Sequence, residues 1–509
     1  MEAGMLLGDI ANRGALLFGE RDAFVWPGRK RTYVSLDDRV ARAATVLRNA
    51  GVTEGTRLAV LSPNTPEVIE FVLAASLLGG VTVPLNARLA PDEIRYQIDD
   101  ADVEHALVHP ALEALASSSG LLDRRTWSVG REFDDELEGA APQALDQHDR
   151  PTSDSPCIQL YTSGTTGVPK GCLLSHRAWI ASCANMAHEM AISGSDRLLG
   201  IYPFFHVAGF GLALTHLLMG ATIVLNQAVD PDEIWGLVND EHLTLIGLPG
   251  LRAMLSHPAC AAADRSSLRG IIGGANMEST ETLDLLDDMV PGVRFFGVYG
   301  STEAGNFVSL SSASAERERP GTIGRPLIGF NVAILSDAGW PLPVGEVGEL
   351  GLRGPSTMLG YSKLPDASET ALRNGWLHTG DLMRLDTDGY LYFVDRVKDL
   401  IKSGGENVYS IEVENVLSTH PAVADVAVVG VPDRKWGEAV KALIVLAPCT
   451  SVTADQLDEH CLERLGAFKR PRWYEFVEAV PRSTLGKILK KEIRAAHDPN
   501  QAERLEERS

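Results

Sequence analysis

Residues 57–108 alternate short apolar segments with helical ones, and this alternation limits the folds that the chain can adopt. The apolar segments lie at 57–61, 81–85 and 104–108, with helical patterns at 66–78 and 91–100 between them. Strand–helix–strand order typically places consecutive strands parallel, because the helix returns the chain to the same end of the sheet. The sequence therefore predicts an α/β fold that starts with a mostly parallel sheet.

A second α/β unit follows later in the chain. Its strand-like segments lie at 222–225, 243–247, 270–272 and 294–298, separated by helical segments such as 231–239 and 279–289. Between the two units, residues 110–156 lose the pattern and gain clusters of Ser, Asp and Pro, so we expect a loop-rich connector there.

The last third of the sequence changes character twice. Residues 320–394 carry short β segments separated by Gly and Pro turns, which predict a small β-rich subdomain. After residues 395–399 the pattern becomes α+β. We therefore predict a large N-terminal domain at 1–396, made of two α/β subdomains plus the β-rich subdomain, and a small α+β C-terminal domain at 397–509.

The net charge and the cysteine spacing indicate which partners the protein can bind and in which compartment it is located. The formal charge of -22 argues against a nucleic-acid or anionic-membrane partner, because such surfaces are bound mainly by excess Lys and Arg. The six cysteines form no C-x-x-C pair, so we expect reduced thiols in a cytoplasmic protein with no metal cluster. A homodimer is left open.

Two segments bear on membrane targeting. Residues 1–22 have no sustained apolar core, so we expect no secretory signal. Residues 198–226 carry no Asp, Glu, Lys or Arg and are long enough to span a bilayer, yet they contain Pro203, two histidines and several glycines. We interpret them as a buried core segment rather than a membrane span.

A glycine- and hydroxyl-rich loop at 160–171 follows the apolar strand at 157–161 and precedes a helix for which Ser175 is the expected N-cap. Such a loop can cradle phosphates, since glycines let backbone N–H groups approach an anion and the lysine adds positive charge. It lacks the glycine spacing and the hydroxyl after the lysine that a Walker A loop requires. The alternative is a flexible Ser/Thr/Gly turn.

Four further motifs follow this loop. They are Tyr299-Gly300-Ser301-Thr302-Glu303, the segment 375–382, the segment 395–407, and 481–487 with its Gly486-Lys487 pair. Together and in this order, the five motifs resemble those of the adenylate-forming superfamily, which includes acyl-CoA synthetases, peptide-synthetase adenylation domains and luciferases. The resemblance extends over nearly the whole chain and is closest to the acyl-CoA ligases.

The resemblance implies ATP, Mg²⁺ and coenzyme A as cofactors, a small-molecule carboxylic acid as substrate, and a mobile C-terminal domain that rotates about Lys398. By the same resemblance the ATP site comprises Thr162, Ser163, Gly164, Thr165, Thr166, Gly167, Lys170, Gly273, Gly274, Ala275, Tyr299, Gly300, Ser301, Thr302, Asp381, Arg396 and Lys487. Alone, each of these residues has an ordinary structural interpretation as a turn, a cap or a solvated charge.

The implied catalytic roles follow the same comparison. Thr302 contacts the α-phosphate, and Glu303 holds Mg²⁺ directly or through water. Lys487 bridges the attacking carboxylate and the phosphate, while Lys402 lies on the face used for thioester formation. His206 separates the acyl pocket from ATP; a lone histidine among aromatic residues is more often structural.

Two departures from the family pattern are evident. Asp395 and Ser410 stand where many members have Gly and Pro, which affects local backbone geometry. Around His206 there is no aspartate of the kind that amino-acid-activating relatives carry for the substrate ammonium, and Phe204, Phe205 and nearby apolar residues suggest an apolar pocket. The resemblance therefore favours an apolar carboxylic acid over an amino acid.

Four functions are compatible with these motifs. The first is an ATP-dependent acyl-CoA ligase for an apolar acid of fatty or aryl type, and the second is an acyl-AMP ligase that loads a carrier-protein phosphopantetheine. A luciferase-type oxidase is a distant third. A nucleotide-binding regulator with an inactive site ranks low because Glu303, Asp381 and Lys487 are all present.

Overall fold

The structure is a computed structural model of the 509-residue chain. It describes residues 4–143, 150–162, 168–226, 229–248, 250–274, 278–482, 488–498 and 502–505. The chain divides into two compact units, which are described separately. The first unit comprises Met1–Ala333, Gly351–Thr379 and Asp386–Leu391, and the second comprises Ile334–Leu350, Gly380–Leu385 and Tyr392–Ser509. The predicted boundary between residues 396 and 397 stays a prediction.

The first part of the chain contains six α-helices and six strands among its described residues. In chain order they are α1 (Asp9–Phe18), β1 (Asp22–Trp26), β2 (Arg29–Thr32), α2 (Tyr33–Asn49), β3 (Arg57–Leu61), α3 (Pro66–Leu77), β4 (Val81–Pro84), α4 (Pro91–Asp100), β5 (His105–Val108), α5 (Glu113–Ser118), β6 (Arg125–Ser128) and α6 (Glu132–Gly139).

The middle part begins at the predicted glycine loop. Its elements are β7 (Pro156–Thr162), β8 (Lys170–Ser175), α7 (His176–Glu189), β9 (Arg197–Gly200), α8 (Val207–Met219), β10 (Thr222–Leu225), α9 (Pro231–Asp240), β11 (Leu245–Gly247), α10 (Leu251–Ser256), α11 (Pro258–Ala262), β12 (Gly270–Gly274), α12 (Thr280–Met289), β13 (Arg294–Ser301), β14 (Asn306–Ser311) and α13 (Ala313–Glu318).

The remaining elements are shorter on average. They are β15 (Arg325–Pro326), β16 (Asn331–Leu335), β17 (Val347–Arg353), β18 (Gly360–Tyr361), α14 (Pro365–Ala371), β19 (Leu377–Leu385), β20 (Leu391–Arg396), β21 (Ile401–Ser403), β22 (Glu406–Val408), α15 (Ser410–Ser418), β23 (Val423–Asp433), β24 (Gly437–Leu446), α16 (Ala454–Leu462), β25 (Trp473–Phe476), α17 (Lys490–Ala495) and β26 (Glu503–Arg504).

Two large sheets organise the first unit. The seven-stranded sheet has the order β18-β8-β7-β4-β3-β5-β6, and its inner pairs β3–β4, β3–β5 and β4–β7 are parallel. The nine-stranded sheet has the order β15-β14-β13-β12-β11-β9-β10-β1-β2, with parallel pairing from β13 through β10 to β1. Strand β4 is buried along its whole length, as expected for parallel strands covered on both faces. The predicted α/β class is confirmed.

The predicted connector at 110–156 is wrong in part. It contains helices α5 and α6 and strand β6, which pairs in parallel with β5 at the edge of the seven-stranded sheet. Only Trp127 of this four-residue strand is buried, so the sequence shows neither an apolar run nor a clear alternation there. An edge strand with one buried residue leaves little trace in a hydrophobic pattern.

The apolar segment 198–226 is confirmed as core. It forms the end of β9, then α8, which ends at Gly220 in the left-handed region (φ 77°), and then β10. No helix in the described part of the chain is long and apolar enough to cross a membrane. All six cysteines are free, and five of them are buried.

Two smaller sheets account for most remaining strands. The β-rich segment forms a four-stranded sheet in the order β16-β17-β19-β20. The second unit contains the sheet β22-β21-β24-β25-β26, with β23 paired antiparallel to β24. Helix α15 contributes Val413 and Leu417 to a core that also includes Val428 of β23 and Tyr474 of β25. The predicted α+β character of this region is therefore confirmed.

A buried ion pair in the second unit gives a stability prediction. Nη1 of Arg470 lies 2.6 Å and 2.5 Å from the two carboxylate oxygens of Asp458, and both residues are almost fully buried. Arg470→Leu would leave a buried carboxylate without its cation, and we expect a loss of about 3–5 kcal/mol in the free energy of unfolding. Hydrogen exchange of peptides from α16, measured in the full chain, would report this loss.

The matched control is Arg464→Leu in the same segment. Arg464 pairs with Glu463 at 2.8 Å, but both side chains are largely exposed, so we expect a change below about 1 kcal/mol. Equal loss of protection in the two variants would contradict the assignment of a stabilising role to the buried pair.

Candidate active site

Strands β7 and β8 form an antiparallel hairpin that carries the two described ends of the glycine loop. Thr162 and Lys170 are paired across this ladder, so the segment between them connects the two strands. The expected helix begins one strand later than the loop itself: Ser175 ends β8, and its hydroxyl accepts a hydrogen bond from the Ala178 N–H at 3.2 Å as the N-cap of α7. The predicted cap is confirmed, whereas Gly171 lies in strand β8 rather than in a loop.

A tight turn follows β13 and presents Glu303. The Gly305 N–H donates to the Thr302 carbonyl at 2.9 Å, and Gly305 has φ 77°. A Cβ on Gly305 would also collide with the carbonyl oxygen of Ser356, so both the backbone angle and the close approach require glycine here. Thr302 and Glu303 form a turn rather than a helix-capping pair.

Residues 358–362 join this turn to the hairpin. The Met358 N–H donates to the Glu303 carbonyl at 2.8 Å, and the Ser362 N–H donates to the Gly171 carbonyl at 2.7 Å. Strand β18 pairs Tyr361 with Cys172 of β8. The segment therefore places Tyr361 between two motifs that are more than 130 residues apart in sequence.

The Glu303 carboxylate accepts two hydrogen bonds on one oxygen. Its Oε1 receives the Thr162 hydroxyl at 3.2 Å and the Tyr361 hydroxyl at 3.1 Å. Burial and the nearby Glu303 charge raise the pKa of Tyr361, so its phenol keeps its proton and remains a donor. The two hydroxyls fix the direction in which the carboxylate points.

Lys170 lies beside this carboxylate cluster without neutralising it. Its Nζ is 4.9 Å from the centroid of the Tyr361 ring, within the range of a cation–π contact. The lysine makes no ion pair with a described residue. Tyr361 thus contacts both the Lys170 ammonium, through its ring, and the Glu303 carboxylate, through its hydroxyl. Both charged groups can still bind a ligand.

The geometry of Glu303 suits a magnesium ion. Its Oε2 has no protein hydrogen-bond donor in the described ranges, while Oε1 is already occupied. Mg²⁺ is commonly held by one or two carboxylates together with substrate phosphates and water, rather than by an all-protein cage. Accordingly, the described residues contain no cluster of three or more His, Cys, Asp or Glu side chains that could hold a metal.

The resemblance implies that Gly273, Gly274, Ala275 and Tyr299 enclose the adenine of ATP. Of these, Gly273, Gly274 and Tyr299 lie on two neighbouring parallel strands. In the register of β12 and β13, Gly273 is opposite Gly297 and Gly274 is opposite Val298. Tyr299 follows on β13 and is paired with Ser309 of β14. Gly300 is exposed, and Ser301 accepts a hydrogen bond from the Ala304 N–H at 3.2 Å. The strand pairing thus brings Gly273, Gly274 and Tyr299 together.

His206 precedes helix α8 and acts as its N-cap. The Ala208 N–H donates to its Nδ1 at 3.3 Å, and surrounding protein atoms lower the pKa of the imidazole although the residue reaches solvent. The ring is therefore neutral near pH 7, with its proton on Nε2. Nδ1 thus has a structural role as the helix cap, as is common for a lone histidine. The Nε2–H can still donate a hydrogen bond.

Asn64 holds the loop that leads to His206. Its side-chain amide donates to the carbonyls of Gly200 and Tyr202 at 3.0 Å and 2.8 Å, and its Oδ1 accepts from the Phe204 N–H at 2.8 Å. After the loop, Phe210 packs edge-to-face on Trp179 at 5.1 Å. The apolar residues around His206 thus form packed core at the start of α8.

In the second unit, Asp381 and Arg396 are brought together. Nε of Arg396 lies 3.4 Å from Oδ1 of Asp381, and Asp381 is largely buried. Gly380, with φ 75°, accepts a hydrogen bond from the Val397 N–H at 2.9 Å, which ties the two segments at their backbone. A carboxylate can accept hydrogen bonds from ribose hydroxyls, and a guanidinium can donate hydrogen bonds to phosphate oxygens.

The two departures from the family pattern bond to each other. The Ser410 hydroxyl donates to Oδ2 of Asp395 at 2.8 Å, and the Ser410 N–H donates to the same oxygen. Lys490 then donates to the Ser410 hydroxyl at 2.6 Å and pairs with Glu414 at 2.8 Å. A proline at position 410 would have neither the N–H nor the hydroxyl that bonds to Asp395. The aspartate and the serine are therefore matched to each other in this chain.

Three groups of predicted residues have different outcomes. Thr162, Lys170 and Glu303 meet in one cluster. Lys402 lies on β21 with its backbone N–H bonded to Glu438 at 2.8 Å and its side chain exposed. Seven further predicted residues lie outside the described ranges; they are Ser163, Gly164, Thr165, Thr166, Gly167, Ala275 and Lys487.

The sequence alone does not mark Tyr361 as a site residue. A Gly-Tyr pair between turns carries no chemical pattern by itself, and only its pairing with β8 brings the phenol to Glu303.

Comparison with known proteins assigns the family. The model of the AMP-binding enzyme family matches residues 13–362, and the model of the AMP-binding enzyme C-terminal domain matches residues 412–487. The chain belongs to the AMP-binding enzyme family. The resemblance to the adenylate-forming superfamily and to its acyl-CoA ligases is thereby confirmed.

Relatives of this AMP-binding enzyme match it over most of their length. A feruloyl-CoA synthase from Amycolatopsis sp. is 38% identical over 473 residues, covering 92% of this chain and 94% of the relative. A fatty acid–[acyl-carrier-protein] ligase, ScoC, from Streptomyces coeruleorubidus is 35% identical over 496 residues, covering 93% and 92%.

A solved structure supports the same fold. The o-succinylbenzoate coenzyme A synthetase of Bacillus subtilis, solved with ATP and a magnesium ion, has a TM-score of 0.83 and 30% identity, covering 95% of this chain and 98% of the other. The AMP-binding enzyme family forms acyl-adenylates from ATP. The predicted enzyme class, an AMP-forming acid–thiol ligase, and the cofactors ATP, Mg²⁺ and coenzyme A are confirmed at the level of this family.

Proposed function

We propose that this AMP-binding enzyme is an ATP-dependent acyl-CoA ligase that activates an apolar carboxylic acid of fatty or aryl type. The single observation that carries the proposal is the Glu303 carboxylate, oriented by Thr162 and Tyr361 beside the Lys170 ammonium. Lys170 at one end of the hairpin and a carboxylate that could hold Mg²⁺ suit a phosphate chain, because the lysine and the ion would both offset its negative charge.

In the first step, an oxygen of the substrate carboxylate attacks the α-phosphorus of ATP, the bond to the β-phosphate oxygen breaks, and pyrophosphate leaves. Lys170 and Thr162 would hold the β- and γ-phosphates, and Thr302 would contact the α-phosphate. Glu303 would hold Mg²⁺ through its free oxygen, and the ion would supply positive charge that offsets the repulsion between the two anionic reactants. Lys487 would place a further positive charge between carboxylate and phosphate.

In the second step, the coenzyme A thiolate attacks the acyl carbon, and AMP leaves with the electrons of the carbon–oxygen bond. The resemblance assigns this step to a rotated C-terminal domain, with a boundary at 396/397 and Lys402 facing the site. Asp381 and Arg396 would hold the ribose and phosphate of the nucleotide throughout. Their mutual contact supports a shared role at the nucleotide.

The preference for an apolar acid over an amino acid rests on the absence of acidic residues in one segment. Residues 198–226, which include the segment around His206, carry no Asp or Glu that could pair with a substrate ammonium. A relative named as a feruloyl-CoA synthase favours an aryl acid, and ScoC, named as a fatty acid–[acyl-carrier-protein] ligase, favours a fatty acid and a carrier-protein acceptor. Transfer to a carrier phosphopantetheine is therefore the second candidate function. A cytoplasmic location belongs to the same proposal.

A panel of carboxylic acids tests the proposal. We expect Mg²⁺-dependent release of pyrophosphate and AMP with aryl or fatty acids, stimulated by coenzyme A, and no response to the twenty amino acids. Acyl-CoA should appear in amounts equal to AMP. ADP as the nucleotide product, or stronger exchange of pyrophosphate into ATP with amino acids than with apolar acids, would refute it. Turnover only with a carrier protein would select the second candidate.

A further inference from the structure

Gly297 brings a carboxylate from another element onto strand β13. A Cβ at this position would collide with the Ser311 hydroxyl and with Oε1 of Glu316. Gly297 is opposite Ser311 of β14 on one side and opposite Gly273 of β12 on the other. Because side chains alternate along a strand, Gly297 shares its face with Tyr299, two residues further on. Glu316 therefore reaches the same face of the sheet as the predicted adenine-contacting tyrosine.

The Glu316 carboxylate is only half satisfied. The Ser311 hydroxyl donates to its Oε1, whereas its Oε2 is buried without a hydrogen-bond partner in the described chain. No Lys or Arg of the described residues forms an ion pair with it. Burial raises the pKa of Glu316 and the Ser311 hydroxyl lowers it; the negative charge of Glu278 raises this pKa, and the Glu278 backbone lowers it. A buried carboxylate oxygen without a donor calls for a bonding partner.

Glu278 lies near Gly273, where the ring of Phe295 is the nearest side chain. Its Oε1 is 3.9 Å from the place where a Cβ on Gly273 would stand. The two glycines of neighbouring strands thus have a carboxylate beside each of them. The edge of a ligand placed beside these two carboxylates would meet hydrogen-bond acceptors.

We propose that Glu316 accepts a hydrogen bond from the 6-amino group of the ATP adenine and so selects adenine over 6-oxopurines. This inference rests on the proposed binding of ATP, with Tyr299 against the base. The amino group supplies the missing donor to the carboxylate. A 6-oxo group at the same place would bring an acceptor against an acceptor, which disfavours GTP and ITP.

Base analogues test this assignment by equilibrium binding to the full chain, with Mg²⁺ and without acid. The probes are ATP, ITP and purine riboside triphosphate, which lacks the 6-amino group. A hydrogen bond to a charged acceptor predicts that wild type binds ATP at least about 10-fold more tightly than purine riboside triphosphate. In Glu316→Ala this ratio should fall close to one, because ATP loses affinity while purine riboside triphosphate keeps its own.

Glu316→Gln retains an acceptor oxygen and should recover part of the discrimination, which also covers the case in which the alanine variant fails to fold. Glu318→Ala, on the same helix and exposed, should keep the wild-type ratio. Equal weakening of all three nucleotides in Glu316→Ala would mean a merely structural carboxylate and would overturn the proposal. Unchanged discrimination would overturn it as well.

The binding assay separates this inference from the proposed function. Acid-dependent release of pyrophosphate together with unchanged base discrimination in Glu316→Ala would refute the role of Glu316 alone. Loss of base discrimination in Glu316→Ala, with no carboxylic acid in the panel activated, would refute the proposed ligase activity alone.

Discussion

Glu303→Gln should slow acyl-adenylate formation by about 10²–10³-fold, the usual cost of removing one preorganised electrostatic group. Glutamine has the same shape and can still accept the Thr162 and Tyr361 hydroxyls, so the turn should remain intact. What is lost is the negative charge on the second oxygen. The measurement is acid-dependent release of pyrophosphate at several Mg²⁺ concentrations, with thermal melting to verify folding.

Tyr361→Phe is the matched control for Glu303. It removes one of two donors to Oε1 but keeps the carboxylate charge, so we expect less than a 10-fold loss. If Glu303→Gln retained activity within about threefold of wild type, the carboxylate would have no role in holding the metal. If the two variants lost activity equally, the orientation of the carboxylate would matter more than its charge.

The second large effect concerns two lysines assigned to different steps. Lys487→Ala should slow adenylation by about 10²-fold or more, because the lost charge acts only when carboxylate meets α-phosphate. Thioester formation from supplied acyl-AMP should survive. Lys402→Ala should do the reverse: it should spare pyrophosphate release and impair transfer from acyl-AMP to coenzyme A. Separate assays of the two half-reactions measure both predictions.

Lys491→Ala serves as the control, since it removes an exposed lysine from the same basic segment as Lys487. We expect both half-reactions to stay close to wild type. Equal loss of both steps in both lysine variants, with unchanged thermal stability, would refute a mechanism in which domain rotation exchanges the two residues.

Motifs that are local in sequence were predictable. The alternation at 57–108 gave the parallel core of the seven-stranded sheet, because buried parallel strands show as apolar runs. Ser175 as an N-cap followed from its place before a helical pattern. Thr162, Lys170 and Glu303 could be proposed as site residues because each belongs to a motif of the family that the chain resembles.

Contacts that depend on the fold were not predictable. Tyr361 reaches Glu303 only through the pairing of β18 with β8, and no local pattern marks it. Glu316 lies on a six-residue helix whose charged residues are typical of a solvent-exposed surface. Its carboxylate can approach β13 only because Gly297 has no side chain. Strand β6 was missed because it buries a single tryptophan.

The bond between Asp395 and Ser410 constrains how this protein can be recombined with its relatives. A chimera joined between residues 396 and 397 keeps Asp395 from one parent and takes position 410 from the other. If the second parent has proline at position 410, the buried Asp395 carboxylate loses the hydrogen bonds from the Ser410 N–H and the Ser410 hydroxyl. Lys490 would lose the serine hydroxyl as well. A chimera that exchanges C-terminal segments should therefore take positions 395 and 410 from the same parent, because the two side chains bond to each other.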